Sequence, residues 1–134
     1  MKKDITDIND ISLLVNSFYD KVFMDETLGY IFKNTPGFSF DKHILIMISF
    51  WDTLLFGTMN YKGSPMIKHM DVNKNFPLNS QHFNQWLTLW EETINENFEG
   101  SYALSAVSKA KNIAGLMQHK INMSTDQEQS IIDQ

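Results

Sequence analysis

Four histidines carry most of the chemical potential of this chain: His43, His69, His82 and His119. Imidazole titrates near neutral pH and is the commonest metal ligand among side chains. No two of the four lie three or four residues apart, and there is no HExxH and no cysteine to complete a tetrahedral zinc set. A Ser-His-Asp hydrolase would need a GxSxG turn between strand and helix, and the chain lacks one. No glycine-rich loop precedes a helix, so a phosphate cradle is not indicated either. His119, beside Lys120, suits a last helical turn, where a cation favours the dipole. His82 falls in a first turn and reads as a neutral surface or capping residue. His43 and His69 are left, either as partly buried structural histidines or as groups on opposite faces of a flat cofactor.

A haem would need one axial nitrogen, an apolar slot, and an opposite side whose polarity decides what binds. The chain has candidates for each part. Ten Phe, four Tyr and three Trp suit a flat apolar ligand, and equally the core of a small protein. Tyr19 and Trp86 sit on apolar stripes and carry polar tips, so each also reads as a core residue with its donor satisfied. Composition admits the cofactor without selecting it.

The elements that would position these residues are helical. Ile8, Ile11, Leu14, Val15, Phe18, Val22 and Phe23 recur at three- and four-residue steps, predicting a helix over 7–24 capped by Asp7 or Asp10. A short helix from Glu26 to about Phe32 ends in the breaker Asn34-Thr35-Pro36-Gly37. Residues 41–56 are apolar on nearly every side; their length favours a buried helix of about 25 Å over a strand, with Asp41 at its start and Gly57 at its end. Ser64-Pro65 signals a short helix bearing Met66, Ile67, Lys68, His69 and Met70. Asn79 caps the next helix, 79–99, with Leu78 and Phe83 spaced as a hydrophobic staple and Gly100 as its stop. A last helix over 101–122 repeats Ala103, Ala106, Val107, Ala110, Ile113, Ala114, Met117 and Ile121, ending near Met123. One domain over 1–134 is expected, with an ordered core at about 7–122 and a flexible tail at 123–134.

Bulk properties exclude several classes. A net charge of −5 leaves no basic stripe for nucleic acid. The absence of cysteine rules out disulfides and a thiol nucleophile and fits a reducing cytoplasm. No signal-peptide pattern follows Met1, and the longest apolar run, Ile44 to Ile48, is far short of a membrane span. A cytoplasmic monomer contacting neither membrane nor nucleic acid is expected.

Phe18-Tyr19-Asp20-Lys21-Val22 and Leu28-Gly29-Tyr30-Ile31-Phe32 resemble the first two helices of the group III (P-type) truncated hemoglobins. Phe50-Trp51 is similar to the family's Phe-Trp element, Pro65 to His69 to its proximal Pro-x-x-x-His segment, and His82-Phe83-Asn84-Gln85-Trp86-Leu87 to its His-Phe-x-x-Trp-Leu run. The resemblance spans roughly Ile8 to Ile121. It implies an all-α, two-over-two helical sandwich around haem b, with helices 7–24 and 41–56 as one pair and 79–99 and 101–122 as the other. It also implies that His69 is the proximal ligand of a pentacoordinate iron and that Tyr19, His43 and Trp86 form the distal side. Phe18 and Phe32 correspond to aromatic positions against the haem, and Met47 to an apolar one facing the bound gas. Met66, Ile67, Phe76 and Trp90 are placed in the pocket by local position, and Lys62 and Lys68 are the nearest basic partners for the propionates.

Three functions stay open. The first is tight binding of O2, with NO and CO as further ligands, rather than bulk oxygen transport. The second is NO dioxygenase-like or peroxidase-like chemistry at the same site, for which no catalytic residue is assigned. The third is a non-haem helical interaction domain. Donors near a gas ligand strengthen its binding, which favours the first two. The chain holds no flavin motif, so reduction would fall to a separate reductase.

Overall fold

The structure, a computed structural model, describes residues 2–59 and 78–132, with side chains described as far as Ile121. The described helices are α1 (Ile8–Met24), α2 (Glu26–Lys33), α3 (Phe40–Phe56), α4 (Ser80–Asn97) and α5 (Ser101–Ile132). No described residue lies in a strand, although a parallel bridge joins Lys3 to Phe98. The segment containing Met66, Ile67, His69 and Phe76, with Lys62 and Lys68, lies outside the described residues.

Helix α1 forms because Ile11, Leu14, Val15, Phe18, Tyr19 and Val22 fall on one face, and all six are buried. Asp7 is its cap, accepting from the Asp10 N–H at 3.1 Å. Asp25 then ends α1 and caps α2: one carboxylate oxygen accepts from Thr27 and Leu28 N–H, the other from Gln85 Nε2 at 2.7 Å. Gly29 lets α2 lie directly on the end of α1, since a Cβ there would stand 2.6 Å from the Phe23 carbonyl oxygen.

The cap of α3 is Ser39, whose Oγ accepts from the Lys42 N–H at 3.4 Å, and Asp41 sits inside the first turn instead. The chain is still extended at Ser39, the backbone state a cap requires. Met47, Trp51 and Leu55 form the buried line of α3, and Gly57 stops it in the left-handed region at φ 69°. Asn79 caps α4 as expected, with Leu78 and Phe83 in one cluster. That helix ends at Asn97, earlier than the sequence suggests, because Phe98 leaves the helical path and turns into the core. Helix α5 runs to Ile132, past the expected end, and its sequence after Met123 holds no Pro or Gly to stop it.

Helix α1 packs on α3, and α4 on α5; contact between α1 and α4 joins the pairs into a two-over-two sandwich. Ala103, Ala106, Ala110 and Ala114 bring α5 close to α4, where Trp90 Nε1–H donates to the Ala106 carbonyl at 3.2 Å. Trp90 stacks on Trp51 with centroids 4.6 Å apart, so one indole pair links both layers. Lys21 of α1 pairs with Glu92 and Glu96 of α4 at 2.9 and 3.0 Å.

An N-terminal arm, outside the core expected from sequence, completes the packing. Ile5 is fully buried, and the Lys3 carbonyl accepts from the Glu99 N–H at 3.0 Å. Asp4 accepts from Tyr102 and Ala103 N–H at 3.0 and 2.9 Å, serving as a remote cap for α5. Partial desolvation raises its pKa, but these N–H groups, with that of Ile5, outweigh it and hold the carboxyl below the usual range. Among the described residues no helix is long and apolar enough to cross a membrane.

Candidate functional site

A cavity of about 490 Å³ opens between the α2–α3 turn on one side and α4 with α5 on the other. Cofactor pockets occupy about 300–1,000 Å³. Leu28, Ile31 and Phe32 contribute from α2, Phe38 from the turn, and Ile46 from α3. Leu78, Phe83 and Trp86 face them, and Ala114 and Met117 close the wall from α5. The turn is shaped by Gly37 at φ +74° and by Thr35, whose hydroxyl donates to the Ile31 carbonyl at 2.6 Å.

His43 lines this cavity from the first turn of α3, its N–H donating to the Ser39 carbonyl at 3.0 Å. Its Nε2 lies 2.8 Å from Tyr19 Oη, and the two rings meet edge to face with centroids 5.0 Å apart. Phe32 and Phe38 pack against the imidazole at 5.9 and 5.2 Å. Tyr19 does not itself border the cavity; it is one hydrogen bond removed, through His43. Burial pushes the Tyr19 phenol far above its ordinary pKa, so it keeps its proton. That proton can go to His43, or the phenol can accept from His43 and turn its hydrogen elsewhere. The imidazole tautomer decides which.

Trp86 borders the cavity half-buried, edge-on to Phe18 and parallel to Trp90. Its indole N–H donates to no described residue, and no buried side-chain polar atom among them lacks a partner, so this donor reaches accessible space. Phe32 lines the cavity. Phe18, Met47 and Trp90 do not border it and belong to the core behind it, with Phe18 and Trp90 each 1% exposed. Neither the family resemblance that named Phe18 and Met47 nor the local position that named Trp90 separates core-facing from cavity-facing places on one stripe.

Several wall residues escaped the sequence reading. Phe38 follows Pro36-Gly37, which signals a turn and not a pocket. Ala114 and Met117 continue the buried face of α5 and carry no separate signal. His82 is a capping residue, as expected, since Nδ1 accepts from the Asn79 N–H at 3.0 Å, yet its ring also lines the cavity.

The crossed helix pairs and the apolar cavity with its imidazole wall define a shortened globin. No family model matches the chain. It is 32% identical over 124 residues to a group 3 truncated hemoglobin of Campylobacter jejuni, covering 90% of this chain and 95% of that protein. The crystal structure of the group III truncated hemoglobin from Campylobacter jejuni matches with a TM-score of 0.80 at 31% identity, over 90% of this chain and 95% of that one. A 2/2 hemoglobin from Synechococcus, in the cyanomet state with covalently attached heme, shares the fold with a TM-score of 0.69 at 23% identity, over 85% and 90% of the two chains. The chain belongs to the group 3 truncated hemoglobins and is a haem globin.

The described walls fit that cofactor. They are largely apolar and aromatic, with His43 offering a polar group from α3 and Trp86 one from α4. No described lining residue is acidic, and one lysine, Lys42, stands exposed at the rim.

Proposed function

We propose that this protein binds haem b, holds its iron through His69 as a pentacoordinate centre, and binds O2 tightly beside Tyr19, His43 and Trp86, with NO and CO as further ligands. The observation that carries the reading is the Tyr19–His43 hydrogen bond of 2.8 Å at the wall of a largely apolar cavity. When bound, haem would supply an iron able to take a diatomic gas and shift negative charge onto it. The side chains supply the response to that charge. Tyr19 stands behind His43, so its hydroxyl would reach the ligand when His43 swings from the wall, and the Trp86 N–H offers a second donor at the wall itself. A hydrogen bond to a charged acceptor contributes about 1.5–3 kcal/mol, enough to slow gas release at least tenfold.

The chain has no cysteine for thioether attachment, which supports haem b. Met66, Ile67 and Phe76 are proposed as pocket residues on the His69 side. The clustered phenol, imidazole and indole also favour a second reading, turnover of NO or peroxide with a separate reductase. Stopped-flow measurement tests the proposal: haemin uptake with a Soret band, a five-coordinate ferrous form and slow O2 release are expected. Failure to take up haemin overturns it, and rapid catalytic loss of NO or peroxide selects the second reading.

A further inference from the structure

Haem is an apolar disc with two carboxylates on one edge, and a carboxylate inside an apolar slot is costly unless paired. The net charge of −5 makes a dianionic edge harder to hold, so local chemistry has to favour it. Among the described residues that line the cavity, the side-chain donors are Thr35, Ser39, Lys42, His43, His82 and Trp86. Thr35 donates within its own turn, Ser39 accepts from the Lys42 N–H and has only a neutral hydroxyl to give, and His43 is bonded to Tyr19. Trp86 sits deeper, against Phe18 and Trp90.

Lys42 and His82 remain. Lys42 is the one permanently charged side chain among the described lining residues, an exposed residue whose long stem can lie along the apolar wall. No described carboxylate pairs with it. His82 is half-buried, and its role in the cap has a second effect. Because Nδ1 accepts the Asn79 N–H, the neutral ring carries its hydrogen on Nε2. Nε2 donates to no described residue. The cap of α4 therefore fixes a donor on a cavity-lining ring.

We propose that Lys42 and His82 hold the two haem carboxylates at the mouth of the cavity, and that the Asn79–His82 cap sets the imidazole as a donor for this purpose. The inference rests on the reading that haem fills this cavity. It makes the site selective for a porphyrin with free carboxylates over its uncharged diester.

The full chain is loaded with haemin or haemin dimethyl ester, and release into excess apomyoglobin is timed. Wild type releases the ester about tenfold faster or more, the scale of one charge-assisted hydrogen bond. Lys42→Met and His82→Glu each speed haemin release about tenfold and leave ester release within about twofold. His82→Glu is informative because glutamate at this position also completes a capping box. It preserves the helix start while replacing a donor with a negative charge, and the melting temperature of the haem-free chain checks that it does. The haem absorption bands of both variants match wild type. Equal acceleration of both porphyrins, or no acceleration of either, overturns the proposal and leaves the haem reading standing. No uptake of haemin by wild type overturns both.

Discussion

Tyr19 and His43 are joined by a 2.8 Å hydrogen bond across the seam between α1 and α3. The phenolic proton is shared with the imidazole, a gas ligand would be a second claimant under the proposed function, and burial prevents Tyr19 from giving that proton up to solvent. Tyr19→Phe is expected to accelerate O2 dissociation from the ferrous protein about tenfold to a hundredfold, the range for one hydrogen bond to a charged acceptor. Flash photolysis or stopped-flow mixing reads the rate. An unchanged rate would assign the role to Trp86 or His43.

His69→Ala should abolish stable haem retention, while His119→Ala, a change on the exposed face of α5, should not. Added imidazole should restore the five-coordinate ferrous spectrum of the His69 variant. Haem retained by His69→Ala without imidazole would count against His69 as the axial ligand.

Trp86 and Trp90 are one helical turn apart and have opposite expected roles. Trp90 is buried and spends its N–H on the Ala106 carbonyl, so Trp90→Phe should cost about 1–3 kcal/mol of stability. Trp86 has a free N–H at the cavity, so Trp86→Phe should quicken O2 release with a smaller loss of stability. Denaturant midpoints and O2 off-rates measured on both variants separate the two effects. A shared pattern would contradict the assignment.

Asp4 links stability to acid pH. Its folded pKa is depressed, so its contribution is complete above the unfolded value of about 3.9 and is lost as pH falls through the lower folded value. Asp4→Ala should cost about 1 kcal/mol near neutral pH, the usual value of a helix cap, and should flatten the stability profile below about pH 4. Thermal melts across pH 2.5–7 (roughly the range in which aspartate changes charge) check both parts.

Gly29→Ala should destabilise the protein by about 1–3 kcal/mol, because the new methyl would meet the backbone oxygen of Phe23, an atom that cannot swing aside. A denaturant midpoint equal to wild type would mean that α2 slides along α1 without cost.

Much of this architecture was legible in the residues. The stripe of α1 and the Leu78–Asn79–Phe83 start of α4 are local patterns whose partners lie within a few positions. The remainder depends on contacts distant in sequence. Ser39 and Asp41 are both able to cap α3, and only the extended backbone at Ser39 decides between them. Ile5 and Asp4 sit in a short segment without periodicity, and the partners of Asp4 are N–H groups of α5, almost a hundred residues away. At the site, Tyr19, His43 and Trp86 were named from family resemblance. Their division into a residue behind the wall and two residues on it follows from packing that no spacing rule expresses. The second function of His82 was hidden by the first, since a capping role accounts for the residue fully until the cavity beside it is seen.

The stacked indoles have an optical consequence. The chain's three tryptophans form a single series, with Trp51 on Trp90 at 4.6 Å and Trp90 parallel to Trp86 at 6.3 Å, ending at the cavity wall. All tryptophan emission therefore originates in one series that ends at the pocket. A strongly absorbing guest would darken the whole signal together, and ultraviolet fluorescence becomes a built-in gauge of occupancy that needs no added label.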